Sequence, residues 1–417
     1  MIPNDGFDIK VIVVGDKLTY LLRRTRKHDF RASGGGEIYF DNAASTYMYD
    51  EVIEYVNHIN KNYYANTSST HFAGFASHET VKTDNEKLCG ILHIRPSTLV
   101  YTSGGAESNN FAIKGIAFAN LSRPCNIVIS AYEHPSVFNS AKYLEKFGFE
   151  IRVCPLNTDG TLDLNKLSDM VDDKTILVST AHVCSEIGAL SDIPKISSLV
   201  KTINPRCCYH VDAVQSFGKI KINLSEWSNV DMMSFSSHKI HGPKGIGALY
   251  IKHQLNIDPL ISGSLNAGLR AGTINTSGVC GFSKAAEIIC KDMAINYDRI
   301  SSLKQYMIDS ISSTGLETRL NTPIQSSPYI LNISFKNIKS EVLLNALSER
   351  GICVSSGSAC ASKAKISYVL KTMNLPKEYN EGAIRFSFSD HNTTDEIDYL
   401  IYNLKELIPA LNAFVRR

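Results

Sequence analysis

Several large functional classes are excluded by what this chain lacks. No apolar run approaches the roughly 20 residues of a membrane-spanning helix, so no helical span is expected. There is no charge of dominant sign: 43 Lys+Arg stand against 41 Asp+Glu, a formal net charge of +2. Neither direct nucleic-acid binding nor a lipid surface is indicated. The ten cysteines include no CxxC pair. Neither a zinc site nor a disulfide framework is indicated, and no metal is expected. The expectation is reduced thiols in a cytoplasmic protein, with one thiol open to a reactive role. Internal repeats and low-complexity tracts are also missing.

What is present is globular: 417 residues with 43% hydrophobic and 20% charged content. That length exceeds one small core and points to two domains. Residues 1–36 differ from the rest, with seven Lys/Arg, four Asp, an apolar patch at Val11–Val14 and a Gly34-Gly35-Gly36 run. The basic cluster follows the apolar patch, which is the wrong order for a secretory signal, and the aspartates argue against a transit peptide. The segment reads as a leader of unknown role ending in a flexible linker.

From Glu37 onward, strand-like apolar runs alternate with amphipathic, helix-length ones. Strands are expected at 126–130, 150–156, 175–183, 207–213, 231–236 and 247–252, with helices at 135–147 and 193–203. Strands with few polar positions, separated by helices, predict an α/β fold with a mostly parallel sheet covered on both faces. After about residue 262 a helical stretch at 278–313 and two strands at 329–335 and 383–389 read as a smaller α+β domain. The expected division is a leader at 1–36, a large domain at 37–262 and a small domain at 263–417. Residues from about 37 to 50 are candidates for packing with the small domain.

In such sheets ligands collect beyond the carboxyl ends of strands, and the candidate residues fall there. SFSSHKIHGPKGIG (234–247) places Lys239 between a short strand and a glycine-rich turn. The stretch lacks the Gly-Lys-Ser/Thr ending of a nucleotide P-loop. Lys239 could carry a carbonyl cofactor, with Ser236 and His238 holding a phosphate; read alone, an ordinary strand-end turn is the alternative. HVDAVQSFGK (210–219) ends a strand with Asp212, followed by Gln215. Asp212 would pair with a protonated pyridine nitrogen or, alternatively, cap a helix. TSGGAESNN (102–110) opens a helix whose free N–H groups at Gly105 and Ala106 suit a phosphate, or are simply capped. His134 in AYEHPSV (131–137) could stack on a ring or move protons, or be structural. Cys360 in SSGSACAS (355–362), followed by Lys363 and Lys365, is a candidate nucleophile or an inert loop thiol. Arg385 on AIRFSFS could fork onto a carboxylate or form a salt bridge.

Together these motifs, with FDNAAST (40–46), NTSSTHFAG (66–74) and GLRAGT (268–273), resemble the cysteine desulfurases of the class V, fold type I pyridoxal-phosphate enzymes. The resemblance runs from about Ile38 to about Leu411. It implies that Lys239 holds pyridoxal 5'-phosphate as a Schiff base, Asp212 pairs with the pyridine nitrogen and Gln215 contacts the ring hydroxyl. His134 would stack on the ring and shuttle protons. Gly105, Ala106, Ser236 and His238 would hold the phosphate, and Thr273 would reach it from the second subunit of a homodimer. Arg385 would bind the substrate carboxylate. Cys360 would take sulfur from L-cysteine as a persulfide, leaving L-alanine, and pass it to an iron–sulfur scaffold or a tRNA-thiolation protein.

Three departures from the family pattern surround the site. Ala106 replaces a hydroxyl residue that touches phosphate, Ser185 replaces an asparagine at the ring hydroxyl, and SGSLN (262–266) replaces a glycine-rich segment. Alternative expectations are a selenocysteine lyase, another class V aminotransferase-like enzyme, or a catalytically weak paralogue acting as a binding partner.

Overall fold

The computed structural model describes residues 37–263, 269–356 and 368–415, together with two strands before them. Those two, β1 (Phe7–Val14) and β2 (Lys17–Thr25), pair antiparallel across a two-residue connection, Val14 opposite Lys17. They fall within the segment expected as a leader of unknown role ending in a flexible linker.

The remaining strands are β3 (Ile38–Tyr39), β4 (Leu99–Thr102), β5 (Asn126–Ser130), β6 (Glu150–Cys154), β7 (Thr175–Ala181), β8 (Cys208–Asp212), β9 (Met232–Ser236), β10 (Gly247–Ile251), β11 (Thr318–Leu320), β12 (Ile330–Phe335), β13 (Ile352–Cys353) and β14 (Ala383–Ser387). Seven of them form the main sheet in the order β4-β10-β9-β8-β7-β5-β6. The pairs from β9 to β6 are parallel, and β10 runs antiparallel to both its neighbours. Strands β5, β7 and β9 are buried along their whole length, as expected where helices cover both faces. The architecture is α/β with a mostly parallel sheet, as the apolar runs predict.

Helices α1 (Asp50–Asn62), α2 (Phe72–Leu92), α3 (Gly105–Phe118) and α4 (Pro135–Leu144) precede, among the described residues, five further helices of ten or more residues at Ile193–Ile203, Thr276–Lys291, Met293–Ser312, Ser340–Glu349 and Thr394–Val415. The stretch expected as one helix at 278–313 is two, meeting at Asp292. The helix Thr276–Lys291 sends Val279, Phe282 and Ala285 into the core that also holds Val211 and Phe235 of the main sheet.

A separate antiparallel sheet, β11-β12-β14, has its own core, built on Leu331, Phe335, Phe386 and Leu400. Phe40 belongs to that core, and β3 pairs in parallel with β13. Residues 38–40 are thus stitched to the second sheet, and Asp41 to Ala44 continue from there to the main sheet's strand ends. Among the described residues no helix is long and apolar enough to cross a membrane.

Candidate active site

A cleft of about 260 Å³ opens at the carboxyl ends of the parallel strands. Four turns following strands build it. Lys239 closes a single 3-10 turn, Ser237–Lys239, directly after β9. Asp212 is the last residue of β8. His134 caps α4 after β5, with Pro135 in the first helical turn. The fourth turn, after β4, starts α3 through Gly104, whose φ of 153° and ψ of 179° suit glycine. A Cβ on Gly105 would lie 2.6 Å from Val214 Cγ2, so only glycine lets the α3 N-terminus close on the Asp212 turn.

Lys239 Nζ donates to the carbonyls of Ala43 at 2.5 Å and Ala44 at 2.7 Å. Burial, followed by the Lys219 and Arg385 cations, brings its pKa down to about 7, against the pull of Asp41 and Asp212. An amine at that pKa is substantially unprotonated at neutral pH and therefore nucleophilic. Asp212 is 5% exposed. It accepts from Asn109 Nδ2 at 2.7 Å and from the Val214 N–H at 2.9 Å. No regular helix follows Asp212, so the capping alternative is set aside: its partners are the turn and α3.

His134 Nδ1 accepts from the Ser136 N–H at 3.1 Å. Nδ1 is therefore the acceptor nitrogen, and Ser136 Oγ at 2.7 Å is placed to donate to it. The neutral ring then carries its proton on Nε2. Packing around the ring lowers its pKa, opposed by Asp212 and assisted by Lys239. His238 Nδ1 lies 3.2 Å from Ser45 Oγ, and burial, then Lys239, brings its pKa to about 4.

The cleft wall holds Lys239, Asp212, Gln215, His134, Gly105, Ala106, Ser185, Ser236 and His238, nine of the sequence-derived candidates. Arg385 is outside that wall, 4% exposed on β14. It donates to Asp41 Oδ1 and to the Ser185 carbonyl, each at 2.9 Å. The salt-bridge reading of Arg385 is therefore present in the fold, and Ser185 links it to the cleft. Thr273 is exposed and does not line the cleft. Cys360, Lys363, Lys365 and most of the SGSLN segment lie outside the described residues.

Sequence reasoning missed Asn109, Ser136 and the Ala43 and Ala44 carbonyls. Asn109 was findable in principle: it sits four residues after Gly105, one helical turn inside α3, on the face of the open N-terminus.

The donor set can be tested against pyridoxal phosphate by its unsatisfied buried atoms. Ser236 Oγ, Gln215 Oε1 and Asn109 Oδ1 are buried without hydrogen-bond partners, all on residues of the cleft wall. Orphaned buried polar atoms converging on one cleft mark a polar ligand. The open N-terminus of α3 and Ser236 suit a phosphate, Lys239 a carbonyl and Asp212 a pyridine nitrogen. The residues present fit the group.

A nucleophilic lysine and a carboxylate facing one cleft across parallel strand ends define a fold type I pyridoxal-phosphate enzyme. Within that class the Aminotransferase class-V family matches residues 38–400, and the chain belongs to that family. It is 36% identical over 378 residues to the cysteine desulfurase IscS of Dictyoglomus turgidum, covering 90% of this chain and 95% of that one. Among solved structures it is similar to a NifS-like protein, with TM-score 0.85, 33% identity and coverage of 90% of this chain and 100% of that one. It is also similar to SspA in complex with cysteine, with TM-score 0.75, 29% identity and coverage of 85% and 100%.

Proposed function

We propose that the protein is a pyridoxal-phosphate-dependent cysteine desulfurase that converts L-cysteine to L-alanine and passes the sulfur through Cys360 to an acceptor protein. The observation that carries this reading is the convergence on one cleft of the Lys239 amine, the Asp212 carboxylate and the open N-terminus of α3. The family membership and the desulfurase relatives support it.

Pyridoxal phosphate, when bound, supplies a carbonyl for amine condensation and an electron sink for negative charge at the substrate Cα. In this proposal the N–H groups of Gly105 and Ala106, with Ser236 and His238, hold the phosphate. Asp212, steadied by Asn109 and Val214, faces the pyridine nitrogen. Gln215 and Ser185 would serve the ring hydroxyl, and His134 would stack on the ring. Lys239, brought to about 7, would hold the cofactor's carbonyl carbon and would move the substrate Cα proton, with His134 as the second proton carrier. Arg385 binds the substrate carboxylate by exchanging part of its bond to Asp41.

The thiol assignment to Cys360 rests on the SSGSACAS loop and its resemblance to the desulfurases. Burial pushes the thiols of Cys89, Cys154, Cys184, Cys208 and Cys290 up to about 12, which keeps them protonated at neutral pH. Cys360 is flanked by small residues and followed by two lysines. A homodimer with Thr273 serving the neighbouring site, a cytoplasmic location and an iron–sulfur scaffold or tRNA-thiolation acceptor complete the proposal. So does a division near residue 262 between the cofactor-holding unit and a smaller one.

The test is an absorbance spectrum before and after adding L-cysteine, with alanine and reducible sulfur assayed in the same tube. Equal alanine and sulfur is the expected result. No visible band after adding pyridoxal phosphate would overturn the reading in favour of a binding partner.

A further inference from the structure

Behind the Lys239 turn lies a second, small cavity of about 10 Å³, whose wall includes Thr46, Lys219, His241, Tyr329, Ser389 and Asp390. Lys219 is absent from the wall of the active-site cleft, and Lys239 is absent from this one. Thr46, in the wall of the small cavity, also holds the Lys239 turn. Its hydroxyl donates to the His238 carbonyl at 3.0 Å and accepts from the His241 N–H at 2.8 Å, gripping the chain on both sides of Lys239.

Lys219 is 3% exposed, with Nζ 5.7 Å from the centre of the Tyr329 ring. A buried ammonium is costly unless an anion balances it. Asp390 is the carboxylate in the same wall. Its Oδ2 accepts from the Tyr49 hydroxyl at 2.8 Å, while Oδ1 is buried without a hydrogen bond. His241 Nε2 and His391 Nε2 approach Oδ1 at 3.5 and 3.7 Å. Burial and Lys219 hold His241 neutral at neutral pH, with a pKa of about 3, and burial also lowers that of His391. Neither imidazole therefore serves as the counter-charge. Arg299 donates to the Asp390 backbone carbonyl.

We infer that Lys219 is a positioning residue for the reaction: its buried ammonium, balanced by Asp390, keeps a like charge behind the Lys239 turn and so disfavours a second ammonium at Lys239. The inference rests on Lys239 being the cofactor lysine. The titration directions agree with the geometry. After burial, Lys219 is the largest influence lowering Lys239, ahead of Arg385, with Asp41 and Asp212 opposing. His134 and His238 also face Lys239. Burial brings Lys219 itself to about 8, with Asp390 opposing and Arg385 adding.

The experiment adds pyridoxal phosphate to cofactor-free protein from about pH 6 to about pH 10.5, the latter near the ordinary lysine value, and reads the visible band. The expected half-point of capture is near 7 in the wild type, following the Lys239 value. Lys219→Met should move it upward by roughly one pH unit, the scale on which a neighbouring charge acts. Lys219→Arg should stay near wild type, and Asp390→Asn should move it the same way as Lys219→Met but less far. Urea unfolding confirms that each variant is folded. A folded Lys219→Met with the wild-type half-point, or one matched by Lys219→Arg, overturns the inference and leaves Lys219 merely structural. Should Lys219→Met not fold, Asp390→Asn decides: an upward shift supports the inference and no shift overturns it. A wild type without any band overturns the functional reading and this inference with it.

Discussion

Asn109 Nδ2 donates to Asp212 Oδ2 at 2.7 Å, joining the first turns of α3 to the end of β8 across 103 positions of sequence. The same amide donates to Ser136 Oγ at 2.9 Å, and Ser136 in turn meets His134 Nδ1. One asparagine thus orients the carboxylate proposed to face the pyridine nitrogen and the serine that sets the histidine tautomer. Asn109→Ala removes a hydrogen bond to a carboxylate, worth about 1.5–3 kcal/mol. The expected result is roughly 10- to 100-fold weaker pyridoxal-phosphate binding, read by titrating cofactor-free protein. Asn109→Asp should be worse, because it sets a like charge beside Asp212. Unchanged affinity in both would remove Asn109 from the site.

Ala106 lines the cleft at the start of α3 without a hydroxyl. Ala106→Ser returns one donor to the phosphate end. A net gain of about 0.5–1.5 kcal/mol per hydrogen bond translates into cofactor binding tightened by roughly two- to twelvefold. The same titration checks it, and weaker binding would mean the phosphate lies elsewhere.

Arg385 is committed to Asp41 and to the Ser185 carbonyl, while its Nε is buried without a partner. Arg385→Lys keeps the charge and loses the fork. The KM for L-cysteine should rise at least about tenfold, the cost of one good charged hydrogen bond, with the cofactor band retained. Arg385→Ala should also lower the urea midpoint, since Asp41 loses its cation. An unchanged KM in Arg385→Lys would assign Arg385 to the salt bridge alone.

Stability should rise with pH from about 5 to about 7, above which the buried thiols, pushed up to about 12, oppose the lysines. Burial brings His182 and His238 to about 4, and His210 and His241 to about 3. The unfolded chain binds protons on these groups near the ordinary 6.5, so it holds more protons than the fold in between. Their contribution is complete above 6.5 and is lost as pH falls toward 4. Lys239 at about 7, with Lys219 and Lys304 at about 8, acts in the same direction up to the ordinary lysine range. Glu133 and Asp390, whose values are raised, oppose this in the carboxylate range, against a larger number of depressed bases. The urea midpoint of cofactor-free protein at about pH 5 and about pH 7 checks the rise. A midpoint that falls between 5 and 7 contradicts neutral buried histidines.

The sheet was legible because its strands are buried apolar runs bounded by turns. The run at 126–130 is β5 to the residue, and the helix expected at 193–203 is there. Eight cleft residues were legible because they sit at or just after a strand end or at a helix start, where chain direction and chemistry coincide, and Ser185 entered only through the family resemblance. Asn109 was not, because a polar residue inside a helix carries no pattern of its own. Its role exists only once Gly105 lets α3 approach Val214. The break at Asp292 was hidden because apolar periodicity continues on both sides, and Asp292 leaves helical geometry only in φ and ψ, −110° and 20°. Lys219 carries no signal in the sequence, since burial of a lysine is decided by the packing of Tyr329 and Asp390 from distant sequence.

Cys360→Ser separates desulfuration from its rivals. In the proposed reaction the C–S bond of L-cysteine breaks as the Cys360 thiolate takes the sulfur, so the variant should keep the cofactor band and lose alanine formation by at least about 10²-fold, the scale of losing a nucleophile. The other described thiols whose shifts are resolved are pushed up by burial, so none of them replaces it at neutral pH. Selenocysteine is the informative second substrate. Selenide is a better leaving group and can depart without a protein thiol, so a selenocysteine lyase would keep its turnover in Cys360→Ser. Loss of alanine from L-cysteine with retained turnover of selenocysteine would still leave Cys360 as the sulfur acceptor. Retained alanine from L-cysteine in the variant would remove Cys360 from the mechanism.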